Sequence, residues 1–152
     1  MIKHNEIERE NIMKIMSIPE IKEYLNNNGI KPSLPRIKIF EYLNNYKSHP
    51  TADEIYLALI DELITLSKTT VYNTMDLFLK HNIIIQILIE ENEIRYDSLT
   101  SNHGHFKCIK CNKIYDFKYD LADISIKELN GFSLNEYHTY IKGICKNCSE
   151  NK

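Results

Sequence analysis

The chain lacks a long apolar run and lacks an excess of basic residues, and both absences limit what it can do. The longest apolar run, IIIQILI at residues 83–89, has the length of a strand and falls short of the ~20 residues of a membrane-spanning helix. The N-terminal residues MIKHNEIEREN are too polar for a signal peptide, so we expect a cytoplasmic protein with no membrane partner. The formal net charge is −2, so any DNA binding must come from a local patch and a specific element.

The N-terminal half carries apolar residues at helical spacing, with residues that favour helix starts at Ser33, Thr51 and Ser67. We predict a helical arm over residues 1–16 and then four helices, over residues 17–30, 33–46, 51–64 and 67–82. The segment IIIQILIEENEIRYD (83–97) then predicts a β-hairpin with its turn at Glu90–Asn92. This order is typical of a winged helix-turn-helix domain, which we assign to residues 1–96.

Residues 97–152 have a different pattern. Short strand-like runs surround two Cys pairs, and residues 121–132 predict a short helix that ends at Gly131. We therefore predict an α+β protein, in which the winged helix is followed by a small α/β domain over residues 97–152.

The strongest motif in the chain is a pair of C-x2-C turns, Cys108/Cys111 and Cys145/Cys148. Four cysteines in a cytoplasmic protein favour metal binding over disulfides. Four thiolates suit tetrahedral zinc in a closed structural site that does no chemistry. The alternatives are four buried free thiols or a redox pair, but neither pair has a thioredoxin-like context.

A second set of residues combines three imidazoles with two carboxylates. His103 and His105 lie two apart on a predicted strand and so share one face. The other three are spread along the chain, and the full set is His49, Asp97, His103, His105 and Asp116. Mixed nitrogen and oxygen ligands suit Fe(II), Mn(II) or Zn(II). Taken singly, each residue also fits a loop, a turn or an exposed strand position, and His4, His81 and His138 are given only such roles.

Five segments together resemble the ferric uptake regulator family of bacterial metal-dependent repressors, over about residues 20–150. They are LPRIKIFEYL, HPTADEIY, TTVYNTMDLF, RYDSLTSNHGHFKCIKCNKIYDF and IKGICKNCS. The resemblance implies a winged-helix DNA-binding domain hinged to a dimerisation domain, and a homodimer that binds operator DNA and is not an enzyme. HPTADEIY and Asp116 are most similar to the peroxide-stress regulator branch, since iron-sensing members more often have Glu at that position.

By this resemblance, the regulatory Fe(II) or Mn(II) ligands are His49, Asp97, His103, His105 and Asp116, and the structural zinc ligands are Cys108, Cys111, Cys145 and Cys148. In the peroxide-sensing branch, hydrogen peroxide oxidises a ligating histidine, for which His49 and His103 are the candidates. The implied ligands are the metal ions, with hydrogen peroxide as the signal and no other small-molecule substrate.

The helix that starts at Ser67 is the candidate for the major groove of DNA, and Tyr72 matches the base-contacting tyrosine of the family. Its candidate contacts are Ser67, Lys68, Thr69, Thr70, Tyr72 and Asn73. Lys31, Arg36 and Lys38 are candidates for phosphate contacts. Two positions depart from the family pattern: Lys68-Thr69 replaces a more apolar pair, and Glu136-Tyr137 stands where many members carry a histidine that serves a further metal site.

Three other functions compete with a peroxide-sensing repressor. The signal could be iron or zinc sufficiency, with the same DNA-binding role. A mixed His/Asp iron site also occurs in oxygenases, but five protein ligands leave at most one open position, and no acid–base constellation accompanies them. A zinc-stabilised interaction module without a DNA role is the third alternative.

Overall fold

The computed structural model describes residues 15–46, 49–89, 92–98, 103–119, 126–133 and 138–150. Within these ranges the chain forms five helices, a two-stranded sheet and a three-stranded sheet. In chain order the elements are α1 (Ile18–Asn27), α2 (Leu34–Asn45), α3 (Ala52–Leu59), α4 (Lys68–Lys80), β1 (Ile84–Ile87), β2 (Arg95–Ser98), β3 (His103–Cys108), β4 (Ile114–Lys118), β5 (Tyr140–Gly143) and α5 (Lys146–Glu150).

This order confirms the predicted α+β fold, with four helices and a hairpin followed by a second sheet. The division at residues 96 and 97 stays a prediction. Most of the predicted arm and part of the hairpin turn lie outside the described residues. Of the helix predicted over 121–132, the described part holds only a 3-10 turn at Lys127–Leu129. No helix in the described ranges is long and apolar enough to cross a bilayer.

The helix starts follow local side-chain chemistry. The Thr51 hydroxyl accepts a hydrogen bond from the Glu54 backbone N–H at 3.1 Å, and the Glu54 carboxylate accepts one from the Thr51 N–H at 2.8 Å. The Ser67 hydroxyl accepts from the Thr70 N–H at 3.1 Å at the start of α4. Such caps satisfy backbone donors that have no partner inside the helix, so they set where α3 and α4 begin.

The third helix is shorter than predicted. It ends at Leu59 rather than at residue 64, although Leu63 N–H still donates to the Leu59 carbonyl at 2.9 Å. The chain then turns, and both Leu63 and Leu66 are buried. The segment has helical periodicity, but the chain leaves the helix after Leu59, and this turn allows both leucines to be buried before α4 begins.

The core of the winged helix is built on one face of α4. Val71, Met75 and Phe78 are completely buried, and the ring of Phe40 meets Phe78 edge-to-face at 5.8 Å between centroids. Burying a side chain of this size contributes about 1.5–3 kcal/mol. The opposite face of α4 stays in solvent, and Tyr72 is 46% exposed there.

The second sheet has the strand order β4-β3-β5, with β4 antiparallel and β5 parallel to the central strand. Its register places His105 opposite Asp116 on one side and opposite Tyr140 on the other. Gly104 lies opposite Phe117, and a Cβ atom at Gly104 would lie 2.2 Å from the ring. Glycine therefore lets the ring lie against the backbone between two candidate metal ligands.

Candidate metal centres and DNA-contacting helix

His49 enters the first centre from the connection between α2 and α3, in an uncommon backbone conformation. Its φ is +48°, which is unusual for a residue with a side chain and more so before a proline. Its side chain is almost completely buried. The Arg95 guanidinium donates to the His49 carbonyl at 3.0 Å, and the Tyr96 N–H donates to the Pro50 carbonyl at 3.0 Å. Strand β2 therefore holds this loop at two successive carbonyls.

The other candidate ligands lie on three strands. Asp97 is on β2, His103 and His105 share one face of β3, and Asp116 is on β4. His49 Nε2 lies 2.9 Å from Asp116 Oδ1, and His103 Nε2 lies 2.8 Å from Asp97 Oδ2. His105 Nε2 lies 3.7 Å from each of these carboxylate oxygens. The fold thus brings all five residues of the predicted set together.

The environment of Asp97 keeps its side chain negatively charged. Burial by itself would raise the pKa of this carboxyl, but close contacts with His103 and His105 and the charge of His49 outweigh it. The pKa of Asp97 is therefore held well below its ordinary value. The centre offers a buried carboxylate next to three imidazole nitrogens.

This donor set fits one divalent cation. Ligand atoms of His49, Asp97, His103 and His105 all lie within 4.8 Å of one another. Two ligands of one ion with bonds of ~2.1 Å lie about 3–4 Å apart, which matches the contacts above. Both ring nitrogens of His49, Nε2 of His105 and Oδ2 of Asp97 are buried and make no hydrogen bond of acceptable geometry among the described residues. A cation would satisfy Nε2 of His49, Nε2 of His105 and Oδ2 of Asp97, which are costly to bury otherwise.

Asp116 differs from the other four in exposure. Its side chain is 29% exposed, whereas that of His49 is 1% exposed and that of Asp97 is 5% exposed. The centre therefore meets solvent on the β4 side, where a small molecule could approach a bound ion.

The four cysteines form the second centre. Cys108 ends β3, Cys111 follows in a turn closed by Asn112 at φ +58°, and Cys145 and Cys148 flank the start of α5. The sulfur atoms of Cys111 and Cys145 are 3.8 Å apart. Tetrahedral zinc with Zn–S bonds of about 2.3 Å requires a sulfur–sulfur distance of about 3.8 Å, whereas a disulfide requires about 2.05 Å. The spacing fits a metal site better than a disulfide.

Backbone donors stabilise negative charge on Cys108, one of the two buried members of this cluster. The Cys145 N–H donates to Cys108 Sγ at 3.3 Å, and further N–H groups of the turn at Cys111 add to it, so the pKa of Cys108 falls to about 6. Cys148 donates to the Cys145 sulfur, which raises the pKa of Cys148 to about 12. Four such close thiols do not all ionise without a cation, and a bound zinc ion would supply that charge.

The exposed face of α4 carries most of the candidate base contacts. Lys68, Thr69, Tyr72 and Asn73 are exposed. The Ser67 and Thr70 hydroxyls are hydrogen-bonded to each other in the helix cap. Lys68 Nζ lies 2.9 Å from Asp53 Oδ1 on α3.

Of the candidate phosphate contacts, Lys38 lies 3.0 Å from Glu41 and 2.7 Å from Glu62, and Arg36 donates to the Lys31 carbonyl at 2.8 Å. The two ion pairs of Lys38 would have to open before it could reach a phosphate. Sequence patterns do not show these partners.

Two residues around the first centre were missed by the sequence analysis. Arg95 holds the His49 loop, and its position two residues before Asp97 on one strand could have indicated that both face the same side. Tyr140 lies beside His105, with ring centroids 6.0 Å apart, and its hydroxyl accepts from the Leu88 N–H at 3.3 Å. Nothing in the local sequence predicts the contact between Tyr140 and Leu88.

Comparison with known proteins decides the family. The sequence profile described as "Ferric uptake regulator family" matches residues 27–142, about three quarters of the chain. The chain belongs to the ferric uptake regulator family. It is therefore a metal-responsive transcriptional regulator by family, and this family does not consist of enzymes.

Individual members of the ferric uptake regulator family resemble most of the length of the chain. The "Peroxide operon regulator" of Bacillus subtilis is 33% identical over 141 residues, which cover 91% of this chain and 97% of that protein. The "Peroxide-responsive repressor PerR" of Staphylococcus epidermidis is 35% identical over 129 residues, 83% of this chain and 86% of that protein. The crystal structure of the Vibrio cholerae ferric uptake regulator superposes with a TM-score of 0.68 at 27% identity, and covers 82% of this chain and 98% of that one.

Proposed function

We propose that the chain is a homodimeric repressor that binds operator DNA when a divalent metal is bound and releases it on exposure to peroxide. One observation carries the proposal: His49, between two helices of the winged helix, lies 2.9 Å from Asp116 of the second sheet. One cation held by both would join the two parts of the chain. Such a repressor acts in the cytoplasm.

The regulatory ligands in this proposal are His49, Asp97, His103, His105 and Asp116, which would hold Fe(II) or Mn(II). A metal that takes ligands from both parts binds the closed arrangement better than an open one, and therefore shifts the population toward it. In a dimer, closure sets the separation of the two α4 helices, which must match half-sites about one turn of DNA apart. The Vibrio cholerae relative is known for a structural rearrangement of its DNA-binding domains, which supports a movable winged helix here.

The structural zinc ligands in this proposal are Cys108, Cys111, Cys145 and Cys148. Zinc there would join the end of β3 to the start of α5, and four thiolates leave it no open position for chemistry. DNA contacts are assigned to the start of α4, where Lys68, Tyr72 and Asn73 would face the major groove once Lys68 leaves Asp53. Phosphate contacts are assigned to Lys31, Arg36 and Lys38.

Peroxide sensing rests on the first centre. Fe(II), when bound, would activate the O–O bond of hydrogen peroxide without being consumed. One peroxide oxygen would be inserted into a ring C–H bond of His49 or His103 and the other would leave as water, so that peroxide gains the two electrons that the ring loses. An oxidised ring is a poorer ligand, so the closed state loses its support. The peroxide-responsive relatives and the solvent-facing side at Asp116 support this signal.

The test begins with DNA selected from a random-sequence pool in the presence of Mn(II). We expect binding that requires the metal and is lost in His49→Ala, because this change removes the ligand from the winged-helix side. If the wild-type protein selects no DNA either with or without Mn(II), the result would support an interaction module instead.

The signal is tested on the Fe(II) form. After peroxide treatment, mass spectrometry should find one added oxygen on a peptide that contains His49 or His103, and the protein should lose DNA binding. The Mn(II) form should keep its peptide masses and its DNA affinity unchanged. A metal-dependent repressor without added oxygen would instead be a sensor of iron or zinc sufficiency. Asp116→Glu is the matched variant, since it keeps the carboxylate and changes only its reach.

A further inference from the structure

The backbone of His49 is in a conformation that the local sequence disfavours. A residue with a side chain seldom adopts φ +48°, and a following proline disfavours helical conformations further. Contacts elsewhere in the fold must therefore stabilise this loop. Those contacts decide whether the imidazole of His49 points to the other four candidate ligands.

Arg95 provides the side-chain contact to this loop. Its Nη1 donates to the His49 carbonyl at 3.0 Å and to Glu54 Oε2 at 3.2 Å, and its Nη2 donates to Glu93 Oε2 at 2.7 Å. The Arg95 side chain is only 18% exposed and His49 is buried, so solvent screens the bond between them less than at an open surface. A planar guanidinium holds several acceptors in fixed directions, which a lysine cannot do.

The same contacts connect the loop to two further elements. Glu54 also accepts from the Thr51 N–H at the start of α3, so Arg95 holds the carbonyl of His49 and the cap of the next helix together. Asp97 lies two residues after Arg95 on β2. One strand therefore carries a candidate ligand and the residue that holds another.

We propose that Arg95 is a positioning residue for the regulatory metal: it keeps His49 in its ligating conformation without contacting the ion. The inference rests on the proposed function of His49 as a ligand. The direction of the change in metal affinity on loss of Arg95 separates positioning from an effect of its charge. A cation near a cation site disfavours metal binding, so loss of Arg95 by charge alone would strengthen binding, whereas loss of positioning weakens it.

The experiment titrates Co(II), which reports its ligands through its d–d absorption, into the zinc-loaded protein. We expect Arg95→Met to bind Co(II) about 10–100-fold more weakly, the usual effect of losing a residue that orients a ligand. Arg95→Lys keeps the charge and one donor nitrogen, and its Co(II) affinity should lie between that of wild type and that of Arg95→Met. Lys118→Met is the matched control: it removes the same charge opposite His103 in the sheet, and should leave the affinity unchanged or slightly tighter.

A double variant separates positioning from a general loss of stability. In a His49→Ala background, Arg95→Met should cause no further loss of Co(II) affinity, because the ligand that it positions is gone. Unchanged affinity in Arg95→Met, or additive losses in the double variant, would overturn the proposal. If His49→Ala alone leaves Co(II) affinity unchanged, the ligand assignment of the proposed function fails instead.

A readout without the regulatory metal completes the test. Amide hydrogen exchange of the peptide 49–56 in the metal-free, zinc-loaded protein should be faster in Arg95→Met than in wild type. Zinc content and far-UV circular dichroism check that the variants are folded, and if Arg95→Met fails that check, Arg95→Lys supplies the comparison. Equal exchange in folded variant and wild type would show that Arg95 does not hold the loop.

Discussion

Replacement of Gly104 by alanine tests whether the sheet register builds the first metal centre. The added Cβ would lie 2.2 Å from Phe117 Cζ and 2.7 Å from both Cε atoms, well inside van der Waals contact. Either the ring leaves its place or β3 and β4 separate locally. Overpacking of this kind costs about 1–3 kcal/mol of folding free energy. Because Gly104 lies between His103 and His105, any backbone shift also moves two candidate ligands.

The assay combines urea unfolding of the zinc-loaded protein with Co(II) titration of the first centre. We expect Gly104→Ala to lower both the unfolding free energy and the Co(II) affinity, and a second change, Phe117→Leu, to recover part of each by removing the ring atoms that collide. A Gly104→Ala protein with wild-type stability and affinity would refute the reasoning, since it would show that the ring moves aside at no cost.

Three further predictions concern other contacts. Cys108→Ala should lose zinc and unfold or become monomeric, whereas His49→Ala should stay folded but unresponsive to metal; zinc analysis and size-exclusion chromatography measure this. Tyr140→Phe removes only the hydroxyl that accepts from the Leu88 N–H, so it should weaken metal-dependent DNA binding a few-fold with the zinc retained. Asp97→Asn should lower the stability of the metal-free protein at pH 7. Since the pKa of Asp97 lies below its ordinary value, the carboxylate stabilises the fold above about pH 4, and the difference from Asn should narrow as the pH falls further.

Each of these has an outcome that contradicts it. A Cys108→Ala protein that keeps zinc and its dimer would remove the structural role of the cluster. Equal DNA affinity in Tyr140→Phe would mean that the contact with Leu88 adds nothing to closure. A difference between Asp97→Asn and wild type that stays constant from pH 7 to pH 3 would mean that the contacts with the histidines do not stabilise the charged carboxylate.

Features that depend on neighbours in the sequence could be predicted from the sequence. The capping residues Thr51 and Ser67 set helix starts because their partners lie three residues away. The two C-x2-C turns indicated a four-cysteine site, since each turn brings two sulfurs together by itself. The alternation of β3 placed His103 and His105 on one face in the same way.

Other features depend on how distant segments pack. Local sequence patterns predicted some of these features wrongly and did not predict others. The end of α3 was placed too late, because the burial of Leu63 and Leu66 requires a turn. The ion pairs of Lys38 were not foreseen, nor was the contact between Arg95 and the His49 carbonyl, since each joins residues far apart in the chain.

The sequence by itself determined the types of ligand, the helix starts and the cysteine turns, because these depend on residue chemistry and on spacings of a few positions. The resemblance to the family assigned the five His and Asp residues to one metal site without any knowledge of their geometry. Only the tertiary structure decided that His49 meets Asp116 across the chain, and that its unfavourable backbone is held by Arg95. The physical reason is that a metal centre needs several ligand atoms within a few ångströms, and for residues this distant in sequence only packing sets that distance.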